Sequence, residues 1–402
     1  MIKKCLHIAH LTAMLQRRCN KVGVLLAALL TSHLSLLTLL SACTPEPPLY
    51  LFDGGDIDIK FPMVSVELDS YWDYDSTYDW RKEWYYGWDD EDRRLFGEMG
   101  YVEPTVFALR RYYTGDIMNG PHQYVLANTV DGSSFSGKFQ WGMWDILVWN
   151  DIHTLDGVQS LIFDESSLDR VTAYTNQTMH TARYHAPRYT YSFYQPEPLF
   201  AVYEQGVDIN RELRGFEYDP ERNLYVKKLN MTLEPVTFIY LTQVILHHNN
   251  NKIAGIDGSA DLSGFARTTT LNTCTAGDDP ITVYYNSRLK NNCDKLGETV
   301  DIIGGRLMTF GMCRLNVSSV KNWQDFADAE KHYLDVTMQV NNGMDSTFVF
   351  DVTNQVRRRY KGGVITVELD MDSIPVPSRS GGSAFDAIVK DFEDGGTHEF
   401  EM

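Results

Sequence analysis

Asp56-Ile57-Asp58-Ile59-Lys60-Phe61 and, just after it, Val64-Ser65-Val66-Glu67-Leu68 are the runs whose rhythm decides the fold. Apolar Ile57, Ile59 and Phe61 alternate with Asp58 and Lys60, and Val64, Val66 and Leu68 alternate with Ser65 and Glu67. A period of two sends successive side chains to opposite faces of a pleated chain, so both runs read as half-buried strands. Working outward, the same signature predicts strands at Thr105–Tyr113, His122–Ala127, Met143–Asn150, Tyr189–Tyr194, Leu199–Tyr203, Tyr225–Thr232 and Val236–His247. It continues at Ile281–Tyr285, Arg306–Gly311, Tyr333–Val340, Thr347–Val352 and Gly363–Leu369. Turn signals separate them: Asn119-Gly120-Pro121, Asp131-Gly132, Asn249-Asn250-Asn251, Asp257-Gly258, Asn342-Gly343 and Lys361-Gly362-Gly363. Helical spacing is scarce, with Ser160–Tyr174 and Asn322–Leu334 as the two expected helices. Many short strands and few helices make an all-β chain of β-sandwich type.

Ahead of these strands the chain is of another kind. Met14–Lys21 is basic through Arg17, Arg18 and Lys21, Val22–Leu40 is largely apolar, and Ser41-Ala42-Cys43 follows. A positive head, an apolar middle and small residues before a cut form a secretory leader. Cys43 at the cut resembles the lipobox of bacterial lipoproteins, in which the cysteine is acylated and becomes the new N-terminus. The alternative is a membrane-spanning helix, for which 19 residues suffice. No basic stop-transfer flank follows Leu40, and Thr44-Pro45-Glu46-Pro47-Pro48 ends any helix. The basic head directly follows Met14, which competes with Met1 as the start. The expected organisation is a leader over 1–42, a tether over 43–56 and sandwiches over 57–218 and 219–402. The boundary is set at the polar stretch Arg211–Arg222.

The full chain carries 36 basic and 54 acidic residues. The leader holds five of the former and none of the latter, so the mature chain has a charge of 31 − 54 = −23. Such a chain repels phosphate backbones, which excludes nucleic acid as a natural partner. Of six cysteines, Cys5 and Cys19 belong to the leader and Cys43 is the lipidation site. Cys274, Cys293 and Cys313 remain, with a Cys274–Cys293 bridge one alternative and free thiols the other. They lack the short spacing of a metal site.

Ser70–Arg94 (SYWDYDSTYDWRKEWYYGWDDEDRR) is the most unusual mature stretch. Trp72, Trp80, Trp84 and Trp88 stand among tyrosines and acids, which suits either a sugar or peptide platform or the covering of a sheet. Asp73, Asp75 and Asp79 have part of the rhythm of a calcium loop, but Tyr78 replaces its glycine and Trp84 its final acid. The histidine pairs His180/His185 and His247/His248 diverge on a strand. No nucleophile elbow, phosphate loop or zinc-protease motif is present, so neither an enzyme nor a resident cofactor or metal is expected. Arg357-Arg358-Arg359, a basic run, pairs either with local acids or with a neighbouring subunit.

Several fragments together resemble a family of Bacteroidales surface lipoproteins of uncharacterised function, allied to the fimbrillins and to the lipid-bearing anchor subunits of their fimbriae. They are Val64–Leu68 running into Trp72, Gln195-Pro196-Glu197 before Leu199-Phe200-Ala201, Leu233–Leu241, Ala260–Ala266, Thr309-Phe310-Gly311, Phe350–Thr353 and Gly381–Phe385. The resemblance implies two tandem transthyretin-like, fimbrillin-like β-sandwich domains, an outer-membrane lipid anchor at Cys43 and display on the cell exterior. It also implies fimbrillin-like structural subunits as partners, joined by strand exchange. Only Glu46 supplies an acid just after Cys43, where exported members carry several, so a periplasmic face stays open. The functional expectation is an anchor or minor subunit of a fimbria-like assembly. The alternative is a surface glycan- or peptide-binding lipoprotein using residues 71–88.

Overall fold

The computed structural model describes residues 63–70, 80–115, 122–152, 160–181, 191–316, 318–326, 330–374 and 387–389. Cys43 with its leader and tether, the run Ile57–Phe61, Trp72, the calcium-like Asp73–Asp79, His185 and Gly381–Phe385 lie outside the described residues. What is described is all-β, as the alternation predicts.

The first sheet contains β1 (Met63–Ser70), β2 (Val106–Gly115), β3 (Tyr124–Asp131), β4 (Ser134–Lys138), β5 (Gly142–Asn150), β10 (Phe200–Ile209), β11 (Glu217–Asp219) and β12 (Leu224–Pro235). Its order is β3-β2-β5-β10-β12-β1-β4, with β11 beside β12. Every pairing is antiparallel except β1 on β12, which run parallel from Met63↔Val226 to Ser70↔Leu233. Strand periodicity sorts the side chains. Phe107 and Leu109 of β2, Trp144, Ile146 and Val148 of β5, and Met231 and Leu233 of β12 fill one core. Their neighbours Ala108, Tyr112, Leu147 and Trp149 face the other way, into the main core.

The second sheet takes β8 (Gln177–Thr181), β9 (Tyr191–Tyr194), β13 (Phe238–His247), β14 (Ile253–Ala266), β17 (Pro280–Lys295), β18 (Glu298–Thr309), β19 (Tyr333–Val340), β20 (Asp345–Asp351), β21 (Gly363–Asp370) and β22 (Ala387–Val389). Its main path is β21-β13-β18-β17-β14-β19-β20-β22. A third, four-stranded sheet joins β6 (Leu161–Asp164) and β7 (Thr172–Thr175) to β15 (Thr268–Thr270) and β16 (Thr275–Ala276). Thus β7 pairs with β15 and β9 with β17, two ladders that tie early strands to late ones. The polar stretch at 211–222 contains β11 and leads into β12, the first sheet continues through Pro235, and β8 and β9 of the second sheet come before β10 in the chain.

β13 is buried on both faces. Phe238, Tyr240, Val244 and Leu246 enter the main core, while Ile239, Leu241 and Ile245 enter a third cluster on the opposite side. Burying each such side chain stabilises the fold by about 1.5–3 kcal/mol. Such a strand reads as a continuous apolar run, and Val236–His247 does so.

Neither expected helix forms among the described residues. Ser160–Tyr174 contains β6 and β7, whose Leu161 and Ala173 are buried, so its apolar spacing serves a hairpin. Of Asn322–Leu334, Trp323–Asp325 is a single 3-10 turn and β19 begins at Tyr333. Among the described residues two short α-helices form elsewhere, α1 (Asp90–Phe96) and α2 (Thr353–Arg358). α1 starts with a capping box: Asp89 accepts from the Asp92 amide and Asp92 accepts from the Asp89 amide, at 3.0 and 2.8 Å. Acids in its first turn and Arg93 and Arg94 in its last complement the helix dipole.

Candidate functional site

Residues 80–101 cover the outer face of the second sheet. Trp84 and Tyr86 are buried, and Trp80 and Trp88 pack half-buried against the same cluster, above Ile239, Leu241, Ile302 and Val364. The rings meet at angles that aromatic pairs prefer, with centroids 5.4 Å apart for Trp84–Tyr86 and 5.5 Å for Trp88–Phe96. Gln243 of β13, fully buried, stitches the cover down. Its Oε1 accepts from the Tyr85 amide at 3.0 Å, and its Nε2 donates to the Glu83 carbonyl at 2.6 Å and to Thr366 Oγ1 at 2.9 Å. Gly304 makes room for the cover, because a Cβ there would lie 2.4 Å from the Tyr86 ring. Trp80, Trp84 and Trp88 therefore cover a sheet, and Trp72 is not described.

Charge locks this cover in place. The Asp92 side chain is fully buried and accepts from Tyr86 Oη at 2.8 Å, from Arg288 Nη1 at 2.8 Å and from Lys290 Nζ. Arg288 also reaches Asp89 at 2.8 Å. Burial, followed by the bond to Asp92, pushes the Tyr86 phenol well above its usual range. The Asp92 amide, then Lys290 and Arg288, hold the Asp89 carboxyl well below the usual carboxylate range. An acidic stretch that looks solvated in sequence thus meets two cations of β17. On the other side Arg359 Nη2 pairs with Glu83 Oε2 at 2.6 Å, so this member of the basic run balances a local acid.

The remaining chemical candidates separate. His247 lies between Glu298 and Glu368 at 2.8 and 2.9 Å, whereas His248 pairs with Asp370 at 3.0 Å. His248, Asp370 and Asp372 are near one another but exposed, and Lys252 already pairs with Asp372 at 2.8 Å. Cys274, Cys293 and Cys313 are free, so the Cys274–Cys293 bridge is not formed. Burial pushes the Cys274 thiol up to about 12, which keeps it protonated and unreactive at neutral pH.

Sheet ends matter for a protein expected to assemble. β3 and β4 are joined by Gly132-Ser133 but share no ladder among the described residues. Arg111 spans the gap. Its Nη2 donates to Asn128 Oδ1 at 2.8 Å and its Nη1 to the Lys138 carbonyl at 3.1 Å, with the guanidinium over Phe135 and Phe139. At the end of the second sheet, the Gln355 amide takes both the N–H and the C=O of Thr366, at 2.9 and 2.7 Å, and so blocks part of the β21 edge. Neither device has a sequence signature, since each joins residues of different elements.

No protein-family profile and no curated protein matches the chain. Solved structures similar to it include a candidate adhesin from Bacteroides ovatus, at 13% identity and a TM-score of 0.43, covering 79% of this chain and 95% of that one. Another is a candidate adhesin from Bacteroides thetaiotaomicron, at 10% identity and a TM-score of 0.44, covering 78% and 93%. The fimbrial anchor protein Mfa2 from Porphyromonas gingivalis is similar at 11% identity and a TM-score of 0.37, covering 76% and 90%. Among the described residues no helix is long and apolar enough to cross a membrane.

Proposed function

We propose that this chain is a non-enzymatic, lipid-anchored subunit of a fimbria-like surface assembly, held in the outer membrane through Cys43 and facing the cell exterior. The leader that ends at Cys43 and the ordered family fragments support the reading. The observation that carries it is the place of β1. This strand follows the tether in the chain and is one strand in from the end of its sheet, laddered on both sides, by β12 and by β4. The antiparallel β1–β4 bonds lie perpendicular to the strand and the parallel β1–β12 bonds slant across it. Tension arriving from a membrane anchor along β1 therefore loads them together in shear. An edge strand with one partner would hold less well.

Assembly needs a surface that takes another chain. The β3–β4 seam suits strand addition, because each strand has one ladder partner among the described residues, and an incoming strand would displace Arg111 from the Lys138 carbonyl. A fimbrillin-like subunit would pair there. The alternative aromatic platform at 71–88 is not favoured, because the described tryptophans face inward.

A photo-crosslinking amino acid at exposed Ala127 on β3, in cells making the native protein, tests the seam. An adduct with a second β-sandwich protein is expected there and not at the control position, exposed Thr232 in the middle of the sheet. No adduct at 127, or equal adducts at both positions, would contradict the proposal.

A further inference from the structure

A cleft of about 610 Å³ opens at one end of the first sheet, within the range of about 300–1,000 Å³ usual for small-ligand sites. Tyr113 of β2, Gln140 and Trp141 before β5, and Asp208, Asn210 and Arg211 at the end of β10 line it. We infer that this cleft binds a neutral saccharide, a role independent of how the chain is anchored.

The aromatic wall is rigid. Tyr113 Oη donates to the Trp141 carbonyl at 3.0 Å, and its ring is wedged against Tyr124 and Trp144 at centroid distances of 5.0 and 5.1 Å. Gly142, at φ +129°, lets that ring lie against the backbone, for a Cβ there would meet it at 2.8 Å. The facing wall is polar and ordered. Asn210 Nδ2 donates to Asp208 Oδ2 at 2.9 Å, while its Oδ1 accepts from the Arg214 amide at 3.1 Å. That fixes the amide and leaves Asp208 Oδ1 to accept from a ligand. Among the described residues the Gln140 amide, the Trp141 indole N–H and the Arg211 guanidinium have no protein partner.

This inventory selects the ligand class. Sugar hydroxyls both donate and accept, and the lining offers carboxylate and amide oxygens beside indole, amide and guanidinium N–H groups. The apolar C–H face of a pyranose packs on a flat ring that has a polar edge, which Trp141 provides, with Tyr113 bracing the wall behind it. Charge excludes the main rivals. In a chain of net charge −18, the lining carries one acid and one base, so it selects neither phosphate groups nor cations.

The test uses the full mature protein in a detergent without sugar headgroups, titrated by calorimetry with malto-, cello-, manno-, xylo- and chitohexaose and with anionic hexagalacturonate. At least one neutral hexasaccharide is expected to bind. Arg211→Ala and Gln140→Ala, both at exposed positions, should each weaken it about three- to tenfold with unchanged melting temperature. Trp141→Ala should weaken it at least about tenfold. The absence of binding by every neutral sugar at about 10 mM would overturn the inference. So would binding that survives both Arg211→Ala and Gln140→Ala, or a preference for the anionic sugar.

Discussion

Replacing Asp92 by alanine is expected to destabilise the protein by about 3–5 kcal/mol, the usual cost of removing one partner from a buried ion pair. Asp92 is fully buried, and three side chains lose their acceptor together: the Tyr86 hydroxyl, Arg288 and Lys290. Arg288 keeps Asp89 and is partly exposed, which limits its own loss. Lys290 is more enclosed and also keeps Asp89, at 3.0 Å. Tyr86 has no such substitute, and its ring is part of the cover on β13 and β18. The Asp92→Ala variant also loses half of the capping box that starts α1. Urea unfolding reads the change as a lower midpoint, and the midpoint alone should move if the variant unfolds in one step. Loss of less than about 1 kcal/mol would mean that the cover is held by its rings and that the charges are incidental.

The second large effect concerns Cys43. The Cys43→Ala chain is expected to take up no alkyne-palmitate in growing cells and to migrate with its leader uncut, heavier than the wild type by that segment. A single acyl chain binds membranes only marginally, so stable attachment of a body this acidic needs the several chains that a lipoprotein cysteine receives. Undiminished labelling of the variant would contradict lipidation at this residue.

Much of the fold was legible because alternation is a local property. All twelve strand runs after Leu68 lie within or across observed strands, from Thr105–Tyr113 in β2 to Gly363–Leu369 in β21. β14 escaped because its residues are small and glycine-rich. Asp257-Gly258 reads as a turn, but it sits where the β14–β19 register shifts between Ile256 and Ala260. The hairpin β6–β7 was mistaken for a helix because spaced apolar residues satisfy either geometry over a short run. α1 was hidden in an acidic stretch, although Asp89 followed by Asp92 is the local sign of its cap.

The site was less legible than the fold. The sequence offered two roles for the tryptophans, and the choice between them depends on Ile239, Leu241 and Gln243, more than 150 positions away for Trp84 and Tyr85. Asp92 gave no local sign of burial, since Arg288 and Lys290 come from a distant strand. The cleft joins β2, β5 and β10, so Tyr113, Trp141 and Arg211 meet only through the sheet order. Periodicity reports which face a residue takes, and not which residue faces it.

On the proposed function this chain attaches a surface assembly to the membrane. The most direct test is recovery from intact cells of the protein made with its native leader, beside the Cys43→Ala control, with bound proteins identified by mass. A fimbrillin-like β-sandwich partner is expected with the wild type, and loss of surface attachment in the variant. A transporter as the partner, or no protein partner at all with glycan retained, would contradict it.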